Sequence, residues 1–575
     1  MKRKIYNKLL EWKEKSAGKT ALLIDGARRV GKSYIAEQFA KAEYESYCII
    51  DFSKPQKKIR ELFDLYLDDL DTFFLYLQQR MNVKLVKGKS LIIFDEVQLF
   101  PTARSAIKHL VADGRYHYME TGSLISLRRN VKGILLPSEE RHILMYPMDF
   151  EEFLWALGNE TTMSLVRECF SKKRPLGDVS HRQIMDLFRQ YLVVGGMPQA
   201  VLAFVENKDF DEVDAIKRDI LALYRGDIRK YSGRLVEKIE LMFDEIPSIL
   251  QRHERKVRLS SLVEGARMRN WEDVFLWLRD AMIVNIAYNS TEPVVGLKAS
   301  VEKSTIKCYM ADTGLLLSHT FDENELAAEN IHRRILCDSI ELNEGLLVEN
   351  VVAQMLTASG HKLFFFSRSK GSMPEGAMEI DFLLTRTEVA RRGNVYAVEV
   401  KSGKNTKHVS LDKFREKYKH NIGGSYLLHT KDVMEKDGVI SSYDLVSTWI
   451  DKFYYNDSIS YPLVSPIEGD TGIFWIFHED NDKQITAKMT VWFSFDGKSA
   501  PKAHVTEAFG VSHNGDYDCA AQYLVNEDVE NGQTIVIGTV TARNVHDSED
   551  VVQYVLKAYC TKYGDRDSST EVHYL

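Results

Sequence analysis

Eight residues near the amino end, GARRVGKS at 26–33, have the types and spacing that hold a phosphate. The apolar run TALLID precedes Gly26, and the helix-compatible run SYIAEQFAKA follows Lys32. The loop is therefore expected to open a helix, where successive backbone N–H groups and the helix dipole favour an anion. Ala27, Arg28, Arg29 and Val30 complete the loop between Gly26 and Gly31, with Lys32 expected on the β- and γ-phosphates and the Ser33 hydroxyl on Mg²⁺. A glycine turn before a helix would read the same way, so the second half of the site matters. That half is SLIIFDEVQ: the apolar residues Leu91 to Phe94 predict a buried central strand, and Asp95 at its carboxyl end can hold the magnesium through water. Glu96 then stands where it can polarise an attacking water, which ATP hydrolysis needs and mere binding does not. The expected cofactors are ATP and Mg²⁺. A third strand, YHYME, ends in Thr121, Gly122 and Ser123, and one of the two hydroxyls can sense the γ-phosphate. Arginines 128, 129 and 141 follow. Arg141 is the candidate for stabilising transition-state charge in a neighbouring subunit's site, which makes a homo-oligomer a candidate assembly, although a plain surface arginine fits it equally well.

A second constellation lies at residues 379–401, where EID is followed by VEVK. Alternation along a strand puts Glu399 and Lys401 on one face. With Asp381 they match what a metal-dependent nuclease requires: Asp381 and Glu399 to hold Mg²⁺, and Lys401 to orient or help deprotonate the attacking water. The helix EGLLVENVVAQML places Glu349 as a further carboxylate. The pattern is short, and such a core can equally serve as a nucleic-acid-binding or structural module. Three basic stretches are candidates for phosphate contact, or for solvated faces: FFFSRSKGS with Arg368 and Lys370, DIRKYSGR at 227–234, and RHERKVR at 252–258. DNA is thus a candidate partner.

These residues need scaffolds, and the hydrophobic pattern supplies them. Residues 20–150 alternate short apolar runs with amphipathic stretches, among them a single long helix expected through Leu77, which predicts a parallel α/β sheet. Residues 151–325 turn helical and end in two strand-like pieces, IVNIAY and IKCYMAD, a pattern that suits a winged helix. Residues 340–452 return to α/β character, and residues 466–575 are strand-rich with Gly, Asn and Asp turns, which predicts a separate β-sandwich or barrel. The likeliest linker is YYNDSISYPLVSP.

At 575 residues the chain exceeds a single hydrophobic core. Acidic residues interrupt the basic amino terminus, which excludes a signal peptide, and no run approaches the roughly 20 apolar residues of a membrane span. The cytoplasm is the expected address and no membrane partner is expected. Six scattered cysteines, with no CxxC pattern and no nearby histidine pairing, argue against a disulfide framework and a structural zinc site. The net charge of −7 is uneven: residues 453–575 carry 19 acidic against 8 basic side chains, leaving +4 for residues 1–452. The acidic tail is a candidate surface for a protein partner.

Taken together, the chain resembles the prokaryotic AAA+ ATPases that carry a C-terminal domain of unknown function. The residues that carry the resemblance are GARRVGKS, LIIFDEVQ, TGSL (121–124), PMDFEEFL (147–154), YLVVGGMPQA (191–200), KCYMADTGLL (307–316), EIDFLL (379–384) and VEVKSG (398–403). The resemblance implies a P-loop ATPase followed by a winged helix and a domain with a restriction-endonuclease-like core. One departure is Glu140, where the family pattern has a glycine before the arginine. The expected fold is multidomain α/β: a P-loop ATPase domain at 1–155, a helical region at 156–235, a winged-helix-like domain at 236–330, a restriction-endonuclease-like domain at 331–452, a linker at 453–465 and an all-β acidic domain at 466–575. The expected function is an ATP-driven switch or motor controlling a nuclease-like, DNA-binding domain. The alternative is a signalling ATPase whose C-terminal domains bind protein partners and cut nothing.

Overall fold

The structure, a computed structural model, describes most of residues 1–441 and the strands of residues 472–574. Outside the described residues lie 123–138, 253–254, 295, 323–343, 369–376, 386–394, 402–407, 430–431, 433, 437–438, 442–471, 476–477, 481–484, 495–501, 513–516, 529–532, 547–550, 562–569 and 575. The chain divides into two compact units, Met1–Tyr454 and Tyr455–Leu575.

The first unit begins with a parallel sheet of five strands: β1 (Ala21–Gly26), β2 (Ser46–Asp51), β3 (Ser90–Asp95), β4 (His117–Gly122) and β5 (Glu140–Met145), ordered β2-β3-β4-β1-β5. The central strands β1 and β3 read as continuous apolar runs because both of their faces are covered. Leu22, Ile24, Leu91 and Ile93 pack into one hydrophobic layer, and their neighbours Ala21, Leu23, Ile92 and Phe94 into the other. In the second layer Phe52, Phe63, Phe94 and Phe100 meet in edge-to-face and tilted pairs. The stretch expected as one long helix through Leu77 is two helices, Lys57–Leu65 and Leu70–Met81. The break has a local cause: Asp69 accepts from the backbone N–H of Thr72 and starts a new helix.

Helices then dominate from Phe150 to Asp280, the longest being Phe210–Tyr231. The strands β6 (Val284–Ser290) and β7 (Val301–Met310) pair antiparallel, the hairpin that the sequence assigns to a winged helix. β6 also pairs in parallel with β8 (Phe364–Arg368), so the hairpin forms the edge of a mixed eight-stranded sheet. The rest of that sheet is β9 (Met378–Thr385), β10 (Val395–Val400), β11 (Ile422–Leu428), β12 (Met434–Lys436) and β13 (Val439–Ser441), in the order β12-β13-β11-β10-β9-β8-β6-β7.

Three of the sequence runs named above converge on one backbone junction. Met148 donates its N–H to the Gly196 carbonyl at 2.7 Å, and Gly196 donates its own to Asp312 at 2.6 Å. A Cβ on Gly196 would stand 2.0 Å from the Met148 oxygen, so only glycine fits. Gln354, from the helix Glu344–Ala358, accepts from the Thr313 N–H at 2.8 Å and donates to the Tyr191 hydroxyl, which in turn donates to the Met148 carbonyl. One hydrogen-bonded knot thus links the end of the first sheet, the helices and the second sheet.

The second unit is antiparallel throughout its described strands. In one sheet β16 (Ile485–Ser494) pairs with β14 (Gly472–Trp475), β15 (His478–Asp480) and β17 (Lys502–Ser512). In the other, β18 (Tyr517–Asp528), β19 (Gln533–Asn544), β20 (Val551–Thr561) and β21 (Thr570–Tyr574) follow one another as a meander.

Candidate functional site

The carboxyl ends of β1, β3 and β4 lie side by side, and the loop Gly26–Gly31 crosses over them into the helix Lys32–Glu43. Gly26 has a physical reason: a Cβ there would stand 2.4 Å from the Met145 carbonyl oxygen of β5. Arg29 and Gly31 both take left-handed backbone, at φ 69° and 95°, which wraps the loop. Lys32 is buried and donates to the carbonyls of Gly26 at 3.0 Å and Ala27 at 2.9 Å. Burial pushes its ammonium below the usual lysine value, against the pull of Glu96, Asp25 and Asp95. An arriving phosphate would restore the charge balance around it.

The Ser33 hydroxyl donates to Asp95 Oδ1 at 2.6 Å, and the Thr121 hydroxyl donates to the same oxygen. Residues 33, 95 and 121, from three separate elements, therefore meet at one point. A hydroxyl and a carboxylate at the mouth of a phosphate loop are the hard oxygen donors that suit Mg²⁺. Glu96 takes a left-handed conformation at φ 53°, and Gln98 donates to its Oε2 at 2.5 Å. Its backbone N–H reaches Thr121 Oγ1 at 3.3 Å. Val30 lies buried beneath the loop, and its carbonyl accepts from Arg3 at 3.1 Å. Arg3 also binds Glu152 and the Tyr146 carbonyl, bracing the loop from the amino terminus.

Ser123, like arginines 128 and 129, lies outside the described residues. Arg141 is exposed at the start of β5, opposite Leu22. That register leaves four residues of strand, roughly 13 Å, between it and the level of Gly26, at the far end of the sheet from this chain's own loop. Its neighbour Glu140 turns inward. The Glu140 carboxylate pairs with Arg104 at 3.1 Å and His142 at 2.5 Å, beside the buried Glu120. Burial and the Glu140 charge push Glu120 well above the usual carboxylate value, while Glu140 holds His142 above its own. Asp25, completely buried with neither carboxylate oxygen hydrogen-bonded, is pushed up to about 6 by burial. Sequence spacing cannot reveal this cluster, because its members sit on β1, β4, β5 and the helix Pro101–Asp113.

The helix Phe210–Tyr231 also reaches the loop. Asp227 accepts from Arg28 at 2.7 Å, the Tyr224 hydroxyl donates to the Arg28 carbonyl at 3.2 Å, and the Glu96 charge acts on Asp227. Asp227 belongs to DIRKYSGR, one of the stretches with DNA phosphate in view. In the same stretch Arg229 pairs with Glu240 at 2.7 Å.

The residues of the second constellation fall into two sets of ion pairs. Asp381 on β9 and Glu349 on the helix Glu344–Ala358 both lie beside Lys307 of β7, at 3.2 and 3.0 Å. On β10 and just beyond it, Glu399 and Lys401 pair at 2.6 Å. Arg255 and Lys256, from RHERKVR, face this cluster and pair with Glu349 and Glu379. Arg368 donates to the Thr291 carbonyl at 2.8 Å; Lys370 is outside the described residues. Among the described residues no three His, Cys, Asp or Glu side chains group as metal ligands, and no helix is long and apolar enough to cross a membrane.

Three family models match the chain: an AAA domain over residues 18–154, a domain of unknown function (DUF8612) over 185–325, and a domain of unknown function (DUF4143) over 344–444. No curated protein matches. Among solved structures, the Walker-type ATPase PABY2304 of Pyrococcus abyssi is similar at 16% identity and a TM-score of 0.31, covering 55% of this chain and 95% of that one. Drosophila ORC bound to DNA is similar at 12% identity and a TM-score of 0.23, covering 55% and 94%. A signal transduction ATPase with numerous domains and a tetratricopeptide repeat sensor, PH0952 from Pyrococcus horikoshii, is similar at 10% identity and a TM-score of 0.22, covering 62% and 48%.

Proposed function

We propose that the chain, whose residues 18–154 match an AAA domain, is an Mg²⁺-dependent ATP hydrolase of the prokaryotic AAA+ P-loop kind, working as a switch. The observation that carries the proposal is the meeting of Ser33, Asp95 and Thr121 on one carboxylate oxygen, beside Lys32 and Glu96. Lys32 leaves the carbonyls of Gly26 and Ala27 for the β- and γ-phosphates, and the loop N–H groups hold the remaining phosphate oxygens. Ser33 and Asp95 are the residues that would hold Mg²⁺, which supplies neutralisation of the charge on the phosphate oxygens when bound. Glu96 orients the attacking water and accepts its proton. Thr121 reports the γ-phosphate to β3 through Asp95 and the Glu96 backbone.

The output runs through the helix Phe210–Tyr231, since Arg28 of the loop is tied to Asp227 and Tyr224. We assign the knot of Met148, Gly196, Asp312 and Gln354 as the next link. The module it reaches, residues 344–441, we read as nuclease-like and DNA-engaging, with the acidic residues 466–575 as the surface for a protein partner. The test is ATP turnover by the purified chain with and without Mg²⁺, together with Ser33→Ala and Asp95→Asn. Turnover that requires Mg²⁺ and falls at least tenfold in both variants supports the reading. Wild-type protein that binds ATP and releases no phosphate would refute it.

A further inference from the structure

Eight charged side chains meet where residues 255–256, β7, the helix Glu344–Ala358 and the β9–β10 pair come together. Lys307 Nζ, on a residue only 1% exposed, lies 3.0 Å from Glu349, 3.1 Å from Glu379 and 3.2 Å from Asp381. Arg255 pairs with the other oxygen of Glu349, Lys256 with Glu379 at 3.0 Å, and Lys401 with Glu399 at 2.6 Å. The Tyr309 hydroxyl adds a hydrogen bond to Glu349 at 2.5 Å, and the Val400 N–H one to Asp381 at 2.9 Å. Four carboxylates thus face four cations.

A divalent cation binds carboxylates that carry excess negative charge and present oxygens free to coordinate. Here the charges already cancel. Both oxygens of Glu349, Glu379 and Asp381 have partners, and among the four carboxylates only Glu399 Oε2 has none. The ammonium sits among Glu349, Glu379 and Asp381, in contact with one of the two carboxylates that the sequence offers for Mg²⁺, and it would repel a divalent cation brought to Asp381 in a site screened from water. The residues therefore do not fit a metal-dependent nuclease.

We propose that Lys307 takes the place of a divalent cation in this cluster, so that the module of residues 344–441 keeps a nuclease-like core that does not cut nucleic acid. The proposal rests on the nuclease-like reading of that module and favours the non-cleaving, regulatory alternative for the chain's output. Lys307 comes from β7, outside the module, so the same ammonium ties the module to the strand before it.

The test is a Mn²⁺ titration of the nucleotide-free full chain, with free Mn²⁺ read by electron paramagnetic resonance. Wild type and Asp381→Asn/Glu399→Gln are expected to bind the same number of ions. Lys307→Met is expected to bind one more per chain, and to lose it again when combined with Asp381→Asn. Wild type is expected to leave supercoiled and single-stranded DNA intact in Mn²⁺. The proposal is overturned if wild type binds one ion more than Asp381→Asn/Glu399→Gln, if wild type nicks DNA and Lys401→Ala abolishes the nicking, or if folded Lys307→Met gains no ion. Should Lys307→Met fail to fold by circular dichroism, the comparison of wild type with Asp381→Asn/Glu399→Gln decides alone. ATP turnover of the same preparations keeps the two questions apart, because its loss in wild type would count against the ATPase reading only.

Discussion

Glu96 holds a left-handed backbone that costs a non-glycine residue about 1–3 kcal/mol, and it does so directly after the strand that delivers Asp95. Strain retained at the mouth of the phosphate loop is expected where a side chain must be aimed at a water. Glu96→Gln should therefore keep ATP binding while turnover falls about 100- to 1,000-fold, read by filter binding alongside phosphate release. Asp25 makes a prediction of a different kind. Its folded value of about 6 lies above the unfolded 3.8, so the folded state binds the extra proton. Its contribution to stability is intact below the unfolded value and is lost as pH rises toward 6, an effect of about 3 kcal/mol when complete. Asp25→Asn should flatten that dependence, so that the variant gains on wild type between pH 4 and pH 7 in denaturant melts. The residues of the phosphate loop were legible because their chemistry is contiguous in sequence. Asp25, Glu120, Glu140, Arg104 and His142 were not, since tertiary folding alone brings them together. Lys307 stood within KCYMADTGLL, yet nothing in that run says that it faces Asp381.

Among the elements, the short apolar strands and their helices were readable from periodicity, while two boundaries depended on single residues. Asp69 restarts a helix where hydrophobic spacing alone implied continuity. The hairpin of β6 and β7 reads as a local unit, but its pairing with β8, some 75 residues later, is a non-local choice that spacing cannot reveal. The close approach at Gly196 gives the element-scale prediction. Gly196→Ala places a Cβ against the Met148 carbonyl and should cost about 2 kcal/mol, lowering the melting temperature of the first unit by roughly 2 °C in a thermal melt. The pair of Arg28 and Asp227 gives another. Asp227→Asn releases the loop arginine toward incoming phosphate, so ATP should bind about two- to five-fold more tightly in a fluorescence titration. Unchanged or weaker binding would remove Asp227 from the nucleotide response.

For the whole molecule, the first unit is one continuous construction in which the ATPase sheet, the helices and the second sheet share buried hydrogen bonds, and the acidic second unit stands as a separate β structure. Nothing in the sequence disclosed that the loop and the helix Phe210–Tyr231 would touch, because the contact spans about 200 residues. In the proposed switch the nucleotide site speaks to the rest of the first unit through that helix. The most direct measurement is hydrogen exchange of the Glu96→Gln chain, with and without ATP and Mg²⁺, followed across residues 191–231 and 307–320. Nucleotide is expected to alter exchange in the Phe210–Tyr231 helix and at the Gly196–Asp312 knot as well as in the loop. Protection confined to residues 26–43 and 91–100 would contradict it.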